Sequence, residues 1–146
     1  MKHLAALASA TLLCLVSATT QSGEASDKRI SISPDQLVWV PNPATPGVMT
    51  ATAWGDPATG PHGAFHKFGA GFVAPLHTHT ANTRIVVISG TMSMAGEDGK
   101  ETRFPAGSFF TQPNNYRHVT RCLAGADCLI YLDADAKWDI KPVEPK

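Results

Sequence analysis

Three histidines are the residues of this sequence that are best placed to do chemistry. His77 and His79 form a His-x-His element around Thr78, and His118 lies further along the chain. Side chains two positions apart on a β-strand point to the same face, so the first two imidazoles can converge on one ion. Neutral imidazole is the commonest side-chain ligand for metals such as zinc, iron, copper and nickel. A His-x-His pair alone is a weak indication of a metal site, so the surrounding sequence has to show whether metal binding is expected.

Short β-strands must position these histidines. The 146-residue chain suits one domain, and its 11 prolines and 12 glycines supply frequent turn signals. No window holds a convincing helical period over ten or more residues. Strands are predicted at residues 37–40, 48–54, 64–68, 71–79, 84–89, 91–95, 108–112, 118–122, 128–132 and 138–140. This spacing predicts an all-β sandwich or barrel.

Two stretches of the sequence resemble the motifs of the cupin family. The first runs Gly71, five residues, His77-Thr78-His79, three residues, Thr83, six residues and Gly90; the second runs Gly107, five residues, Pro113, one residue, Asn115, two residues, His118, three residues and Cys122. Sixteen residues separate the two motifs, a normal cupin interval. The resemblance implies a cupin double-stranded β-helix, a jelly-roll barrel, as a single domain over residues 37–146 with its motif core at 71–122.

The same resemblance implies His77, His79 and His118 as ligands of a divalent transition metal: Fe, Zn, Mn, Ni or Cu. Most metal-binding cupins add a glutamate where this chain has Thr83, whose neutral hydroxyl is a poor ligand. Three neutral imidazoles leave the charge of the ion uncompensated and keep coordination positions open, which suits an anionic, oxygen-bearing substrate. The alternative is that loss of the carboxylate marks loss of the metal, leaving a ligand pocket lined with histidines.

Other polar and aromatic residues near the motifs are secondary candidates for the site. Thr83 should face the pocket without ligating the ion, and Tyr116, at the turn entering His118, should line the mouth of the barrel. His66 either faces the pocket or points outward as a solvated imidazole. His62, in a Gly/Pro turn, is expected to be exposed, and Phe109 is expected to lie in the core.

The N-terminal residues read as an export signal. Lys2 precedes an apolar run from Leu4 to Val16, and Val16-Ser17-Ala18 offers small residues for cleavage. The run is too short to span a bilayer comfortably. We expect a signal peptide over residues 1–18, a flexible leader over 19–36, and a periplasmic or secreted mature protein.

Two cysteines remain after removal of the signal peptide, Cys122 and Cys128. An even count in an exported protein favours a disulfide, here across a hairpin loop between adjacent strands. A redox-active pair and a thiolate metal site are the alternatives, but a redox pair usually has a closer spacing and a helix N-terminus.

Charge and composition restrict the partners. Lys plus Arg equals Asp plus Glu at 12 each, so nothing favours nucleic acid. We expect a small-molecule ligand or substrate, no integral membrane segment after signal cleavage and, as one option, a homodimer. The leading hypothesis is metal-dependent small-molecule chemistry of the oxygenase, lyase or isomerase class. The rivals are a non-catalytic cupin that binds a small ligand or senses metal, and a structural dimeric β-protein with a vestigial pocket.

Overall fold

The structure, a computed structural model, describes residues 29–144, and these are almost entirely β-structure. A short 3₁₀ turn at Pro34–Gln36 precedes the strands. Eleven strands follow within the described range: β1 (Val40–Pro41), β2 (Val48–Gly55), β3 (His62–Phe68), β4 (Val73–Thr78), β5 (Thr83–Ser89), β6 (Thr91–Gly96), β7 (Glu101–Pro105), β8 (Phe109–Gln112), β9 (His118–Cys122), β10 (Cys128–Ala134) and β11 (Lys141–Pro142). No helix in this part of the chain is long and apolar enough to cross a membrane.

The strands form two antiparallel sheets. The six-stranded sheet has the order β1-β2-β3-β10-β5-β8, and the five-stranded sheet has the order β11-β4-β9-β6-β7. Strands that are distant in sequence are neighbours in both sheets, as in a jelly roll. The predicted all-β jelly-roll class is therefore confirmed.

Period-two alternation explains how the core forms between the sheets. In β5 the side chains of Ile85 and Val87 are buried while Val86 is exposed, and in β10 Ile130 and Leu132 are buried. These residues join Met92 and Cys122 of the facing sheet in one apolar cluster. Each fully buried side chain of this size contributes about 1.5–3 kcal/mol.

Several details of the predicted strands differ from the structure. The first strand is Val40–Pro41 rather than 37–40, and β11 was not predicted. β7 was missed because it is mostly exposed and polar; it pairs only with β6 at the edge of its sheet. Residues 138–140 are not a strand, because the Trp138 backbone N–H donates to Pro57 (2.7 Å) rather than to a ladder. Phe109 is 63% exposed, since on β8 it alternates with Phe110, which packs against the core.

The sulfur atoms of Cys122 and Cys128 lie within bonding distance, and their Cα atoms are 5.8 Å apart. The expected hairpin is wrong, however, because β9 and β10 belong to different sheets. The pair therefore links the two sheets at one end of the barrel. Gly90 (φ +74°) passes close by, where an added Cβ would lie 2.6 Å from the Asp127 carbonyl oxygen.

The predicted signal peptide, residues 1–18, lies outside the described residues, as does most of the predicted leader. The described part of that leader, residues 29–36, is exposed.

Candidate metal centre

The three histidines of the two motifs converge at one end of the five-stranded sheet. His77 lies on β4 directly opposite His118 on β9, and His79 follows the end of β4 by one residue. The ring centroids are 4.2 Å apart for His77 and His118, 4.8 Å for His77 and His79, and 5.3 Å for His79 and His118. Their potential ligand atoms all lie within 4.8 Å of one another, and all three residues are buried. The structure thus brings the three predicted ligands together.

Backbone carbonyls hold all three rings by the same atom. Nδ1 of His77 donates to the Pro75 carbonyl (2.6 Å), and Nδ1 of His118 donates to the Tyr116 carbonyl (2.8 Å). Nδ1 of His79 donates to the Asp139 carbonyl (2.6 Å). Because a carbonyl can only accept, the ring hydrogen of each neutral imidazole must be on Nδ1. Each Nε2 therefore keeps a free lone pair, the arrangement found in metal-ligating histidines.

The electrostatic surroundings keep these imidazoles neutral. Burial, helped by the neighbouring rings, lowers the pKa of His79 and of His118 to about 4, and burial also lowers the pKa of His77. The buried Nε2 of His118 has no hydrogen-bond partner among the described residues. Three neutral nitrogen donors with one orphaned lone pair fit a divalent transition metal better than Ca²⁺ or Mg²⁺, which prefer oxygen.

The segment after β10 supports His79. The Asp139 carboxylate accepts hydrogen bonds from the backbone N–H of Thr80 (2.7 Å) and from its hydroxyl (2.5 Å), which fixes the Asp139 carbonyl over His79. The Trp138 indole stacks on the His79 ring at a centroid distance of 4.3 Å. The bond from the Trp138 N–H to Pro57 anchors the same segment. The ring position of His79 therefore depends on residues remote from it in sequence.

The turn before β9 links the two motifs. Asn115 adopts φ 58°, a left-handed conformation that asparagine tolerates better than most residues, and its N–H donates to the His79 carbonyl (2.8 Å). Tyr116 follows at the mouth of the barrel, 46% exposed, with its ring nearly parallel to that of His118. Its assignment as a pocket-lining residue stays a prediction. Its contribution is the carbonyl that holds His118.

A cavity of about 50 Å³ lies between the sheets and ends on the three histidines. Its walls are mainly apolar, with Val48, Phe68, Ile85, Met92, Ile130 and Leu132 among the lining residues. None of the lining residues, all of them within the described range, is Asp, Glu, Lys or Arg. By volume, only a compact molecule or the reacting end of a larger one fits inside.

The other histidines and Thr83 have definite positions. His66 faces inward and lines the cavity, 4% exposed. Thr83 is buried on the inward face of β5, and Gln112, its longer partner across the β5–β8 pairing, lines the cavity. Thr83 as a pocket-lining residue stays a prediction. His62 is 1% exposed, contrary to expectation, because Trp138 packs edge-on over it.

Several residues of the site were not predicted from the sequence: Asn42, Gln112 and Trp138 line the cavity, and Thr50 contacts His66. The alternation of β8 could have found Gln112, since it shares a face with Phe110. No local signal identifies the others, because their places at the site depend on long-range contacts.

A family model described as a domain of unknown function, DUF4437, matches residues 32–145. The protein belongs to the DUF4437 family. Comparison with curated protein sequences gave no match. This DUF4437 protein does, however, share its fold with many solved structures.

The solved structures identify the fold as that of the cupins. The polyketide cyclase RemF from Streptomyces resistomycificus has a TM-score of 0.67 at 16% identity, covering 82% of this chain and 88% of that one. An RmlC-like cupin from Ralstonia eutropha JMP134 has a TM-score of 0.65 at 19% identity, over 80% and 74% of the two chains. KdgF from Halomonas sp. has a TM-score of 0.56 at 21% identity, over 70% and 92%. The DUF4437 protein therefore has the cupin fold.

Proposed function

We propose that this DUF4437 cupin is an exported, metal-dependent protein that carries out chemistry on a small oxygen-bearing anion, with His77, His79 and His118 as the metal ligands. The observation that carries the proposal is the triple support of Nδ1 by backbone carbonyls. It leaves a free Nε2 lone pair on each of three buried histidines whose potential ligand atoms all lie within 4.8 Å of one another, as a shared metal ion requires.

The charge of the pocket indicates the substrate class. A divalent ion held by three neutral imidazoles would supply Lewis acidity and keep coordination positions open for a substrate oxygen. The cavity lining contributes no carboxylate to balance the charge of the ion. Because an uncompensated charge in an apolar cavity is costly, the substrate itself has to bring the negative charge.

Each part of the chain around the cluster has a definite task in this proposal. The carbonyls of Pro75, Tyr116 and Asp139 orient the three rings. Apolar side chains from both sheets exclude water from the cavity, which strengthens electrostatic interactions inside it. Oxygenase, lyase and isomerase reactions are the classes to be assayed. The structural neighbour named as a polyketide cyclase supports a small organic substrate in this fold.

A second function, binding of a small ligand or metal sensing without turnover, is favoured by one observation. No lining residue is a carboxylic acid, and the neutral histidines beside the cavity are already held by hydrogen bonds. A general acid or base would have to come from the substrate or from water. Turnover of oxygen-bearing anions by the metal-loaded protein separates the two functions, because a binding protein would saturate without product.

The test of the metal proposal compares two equally buried histidines. His118 and His62 are both 1% exposed, so replacement by alanine leaves a similar cavity in each case. Protein purified without chelator should contain a transition metal. His118→Ala should lower the metal affinity of the protein by more than the factor of about 10–100 that loss of a supporting residue costs. His62→Ala should bind metal like the wild type, as measured by calorimetric titration with Zn²⁺. Equal metal binding by both variants would overturn the proposal.

Export is proposed from two features of the sequence. The apolar run before Ala18 has the form of a signal peptide, and a cysteine pair is typical of proteins that mature in oxidising compartments. Expression in a bacterium with both compartments should place the processed protein in the periplasm or the medium. N-terminal sequencing should then begin at Thr19; an unprocessed cytosolic product would refute export.

A further inference from the structure

Three nitrogen atoms in the cavity have no role in holding the metal. They are Nε2 of His66, Nε2 of Gln112 and Nε1 of Trp138, and each is buried without a hydrogen-bond partner in residues 29–144. His66 and Gln112 are only 4% and 5% exposed, and all three residues line the cavity. Native structures leave few buried polar groups unsatisfied. Three of them around one cavity point to a molecule that satisfies them.

A chain of hydrogen bonds assigns the ring hydrogen of His66. The Ala44 N–H donates to Oδ1 of Asn42 (3.0 Å), so the amide of Asn42 must present Nδ2 to the Thr50 hydroxyl (3.2 Å). That hydroxyl lies 3.0 Å from Nδ1 of His66. Thr50 already accepts from Asn42, and its own hydrogen is satisfied when it donates to Nδ1. In this arrangement the hydrogen of the neutral His66 ring is on Nε2, the ring nitrogen that has no partner in residues 29–144.

The three orphaned atoms are therefore all N–H donors. His66 on β3 and Gln112 on β8 belong to the six-stranded sheet, which faces the sheet that carries His77 and His118. Trp138 lies between the two groups, with its ring centroid 5.8 Å from that of His66 and 4.3 Å from that of His79. The cavity thus has lone pairs on the side of the five-stranded sheet and the N–H groups of His66 and Gln112 on the side of the six-stranded sheet, with the Trp138 N–H between them.

We propose that His66, Gln112 and Trp138 form a second subsite that binds an oxygen acceptor of the substrate, which makes the substrate a compact oxo acid or enolate. The inference rests on the proposed function in that the metal takes the first, anionic oxygen. The donor groups take a second oxygen, and the apolar walls enclose the carbon skeleton. No lining residue is basic, so the second oxygen is a carbonyl or shares a delocalised charge rather than forming a separate ion pair. A cationic group at that position would meet only donors.

Three probes of similar size test the acceptor requirement. Pyruvate, methacrylate and alanine share a carboxylate but carry a carbonyl oxygen, a methylene and an ammonium, respectively, at the neighbouring position. Zn²⁺-loaded protein should bind pyruvate about tenfold more tightly than methacrylate, since one hydrogen bond to the ligand is at stake, and should bind alanine least. Binding is followed by NMR through the Trp138 indole N–H, which should move downfield with pyruvate. The indole N–H of Trp54, which donates to the Tyr131 hydroxyl (2.8 Å), is the internal reference.

Variants decide whether the donors or the metal cause the preference. Gln112→Leu and His66→Phe should each remove most of the preference for pyruvate while leaving methacrylate binding unchanged. Ser93→Ala is the matched control, because it deletes an equally buried and unpartnered hydroxyl that does not line the cavity. If the preference persists in both cavity variants, it arises from chelation at the metal and the subsite proposal is wrong.

Metal-free protein separates this inference from the metal proposal. Zn²⁺ affinity should be the same in the wild type, Gln112→Leu and His66→Phe. If the wild type binds no Zn²⁺, the metal proposal fails, and acetone, a neutral acceptor, then tests the subsite alone. A saturable shift of the Trp138 indole N–H by acetone that Gln112→Leu abolishes supports the subsite. No saturable shift with either pyruvate or acetone overturns it.

Discussion

Four buried histidines line the same cavity, but their rings are held in opposite ways. His77, His79 and His118, next to the five-stranded sheet, each give the Nδ1 hydrogen to a backbone carbonyl. His66, on the six-stranded sheet, has its Nδ1 against the hydroxyl of Thr50, which can donate as well as accept. The first arrangement leaves a lone pair on Nε2, and the second leaves a hydrogen there.

The comparison shows that the group at Nδ1 decides what an imidazole offers to a ligand. A carbonyl can only accept, so it fixes one tautomer of the ring. A hydroxyl can donate or accept, and its other hydrogen bonds determine which of the two it does. Main-chain supports also survive most side-chain substitutions, so the metal end of the cavity is the more robust one. The donor end depends on the side chains of Asn42 and Thr50 and is easier to alter.

The largest difference between the two ends should appear in metal affinity. His79→Gln removes a proposed ligand and should lower Zn²⁺ affinity by more than about 100-fold, beyond what the loss of a supporting residue costs. His66→Gln, at the donor end of the same cavity, should change it less than about threefold, because Nε2 of His66 already carries a hydrogen. Titration with Zn²⁺ under identical conditions measures both. Comparable losses in the two variants would mean that the ends are not distinct.

Acid should destabilise both ends of the metal-free protein. Burial lowers the pKa of His66, His79 and His118 to about 4 in the folded state, whereas unfolded histidine titrates near 6.5. The unfolded chain therefore binds protons first as the pH falls. The contribution of these neutral histidines to the free energy of unfolding is fully present above about pH 6.5. It is lost progressively down to about pH 4, by up to about 3 kcal/mol for a single group. Thermal unfolding between pH 8 and 4 measures it. A melting temperature that stays constant across this window would contradict the buried, neutral state.

The support of His79 can be weakened without touching a ligand. Asp139→Ala removes the carboxylate that Thr80 holds and should lower Zn²⁺ affinity about 10–100-fold, as loss of a supporting residue does. Lys141→Ala is the control, because its side chain is half exposed and only approaches Asp139 (3.5 Å). We expect less than about a twofold change in the control, in line with the small worth of surface ion pairs. Unchanged affinity in Asp139→Ala would show that the carbonyl of residue 139 stays in place unaided.

The smallest effect should come from the support of His66. Thr50→Val removes the hydroxyl, so the ring hydrogen of His66 is no longer directed to Nε2. Pyruvate affinity should fall a few-fold, about the worth of one neutral hydrogen bond, with Zn²⁺ affinity unchanged. Nitrogen NMR of the ring should show Nε2–H for His66 in the wild type and a tautomer mixture in the variant. The cluster histidines should remain Nδ1–H in both, and a wild-type His66 with Nδ1–H would refute the assigned order.

The three-histidine cluster could be predicted from the sequence, while the arrangement around His66 and Trp138 could not. His77 and His79 share a strand face by period-two geometry, and the second motif returns His118 to the neighbouring strand. The fold class followed from the same motifs and from the turn spacing. Trp138, by contrast, is held at the cavity by the hydrogen bond from its backbone N–H to the Pro57 carbonyl, and the tautomer of His66 depends on Asn42 and Thr50. These contacts depend on the final packing of distant strands, which local patterns do not encode.

The link between Cys122 and Cys128 has a practical consequence for every measurement proposed above. Because it ties β9 to β10, it ties together the sheets that carry the two ends of the cavity. A thiol reductant in the buffer would reduce this disulfide and expose two cysteine thiols that compete for zinc. Ligand affinities measured in dithiothreitol would then refer to a protein whose two sheets are no longer linked. Zn²⁺ titrations would include binding to the thiols as well as to the imidazoles. The protein should be handled oxidised throughout, with the free-thiol content checked before each titration.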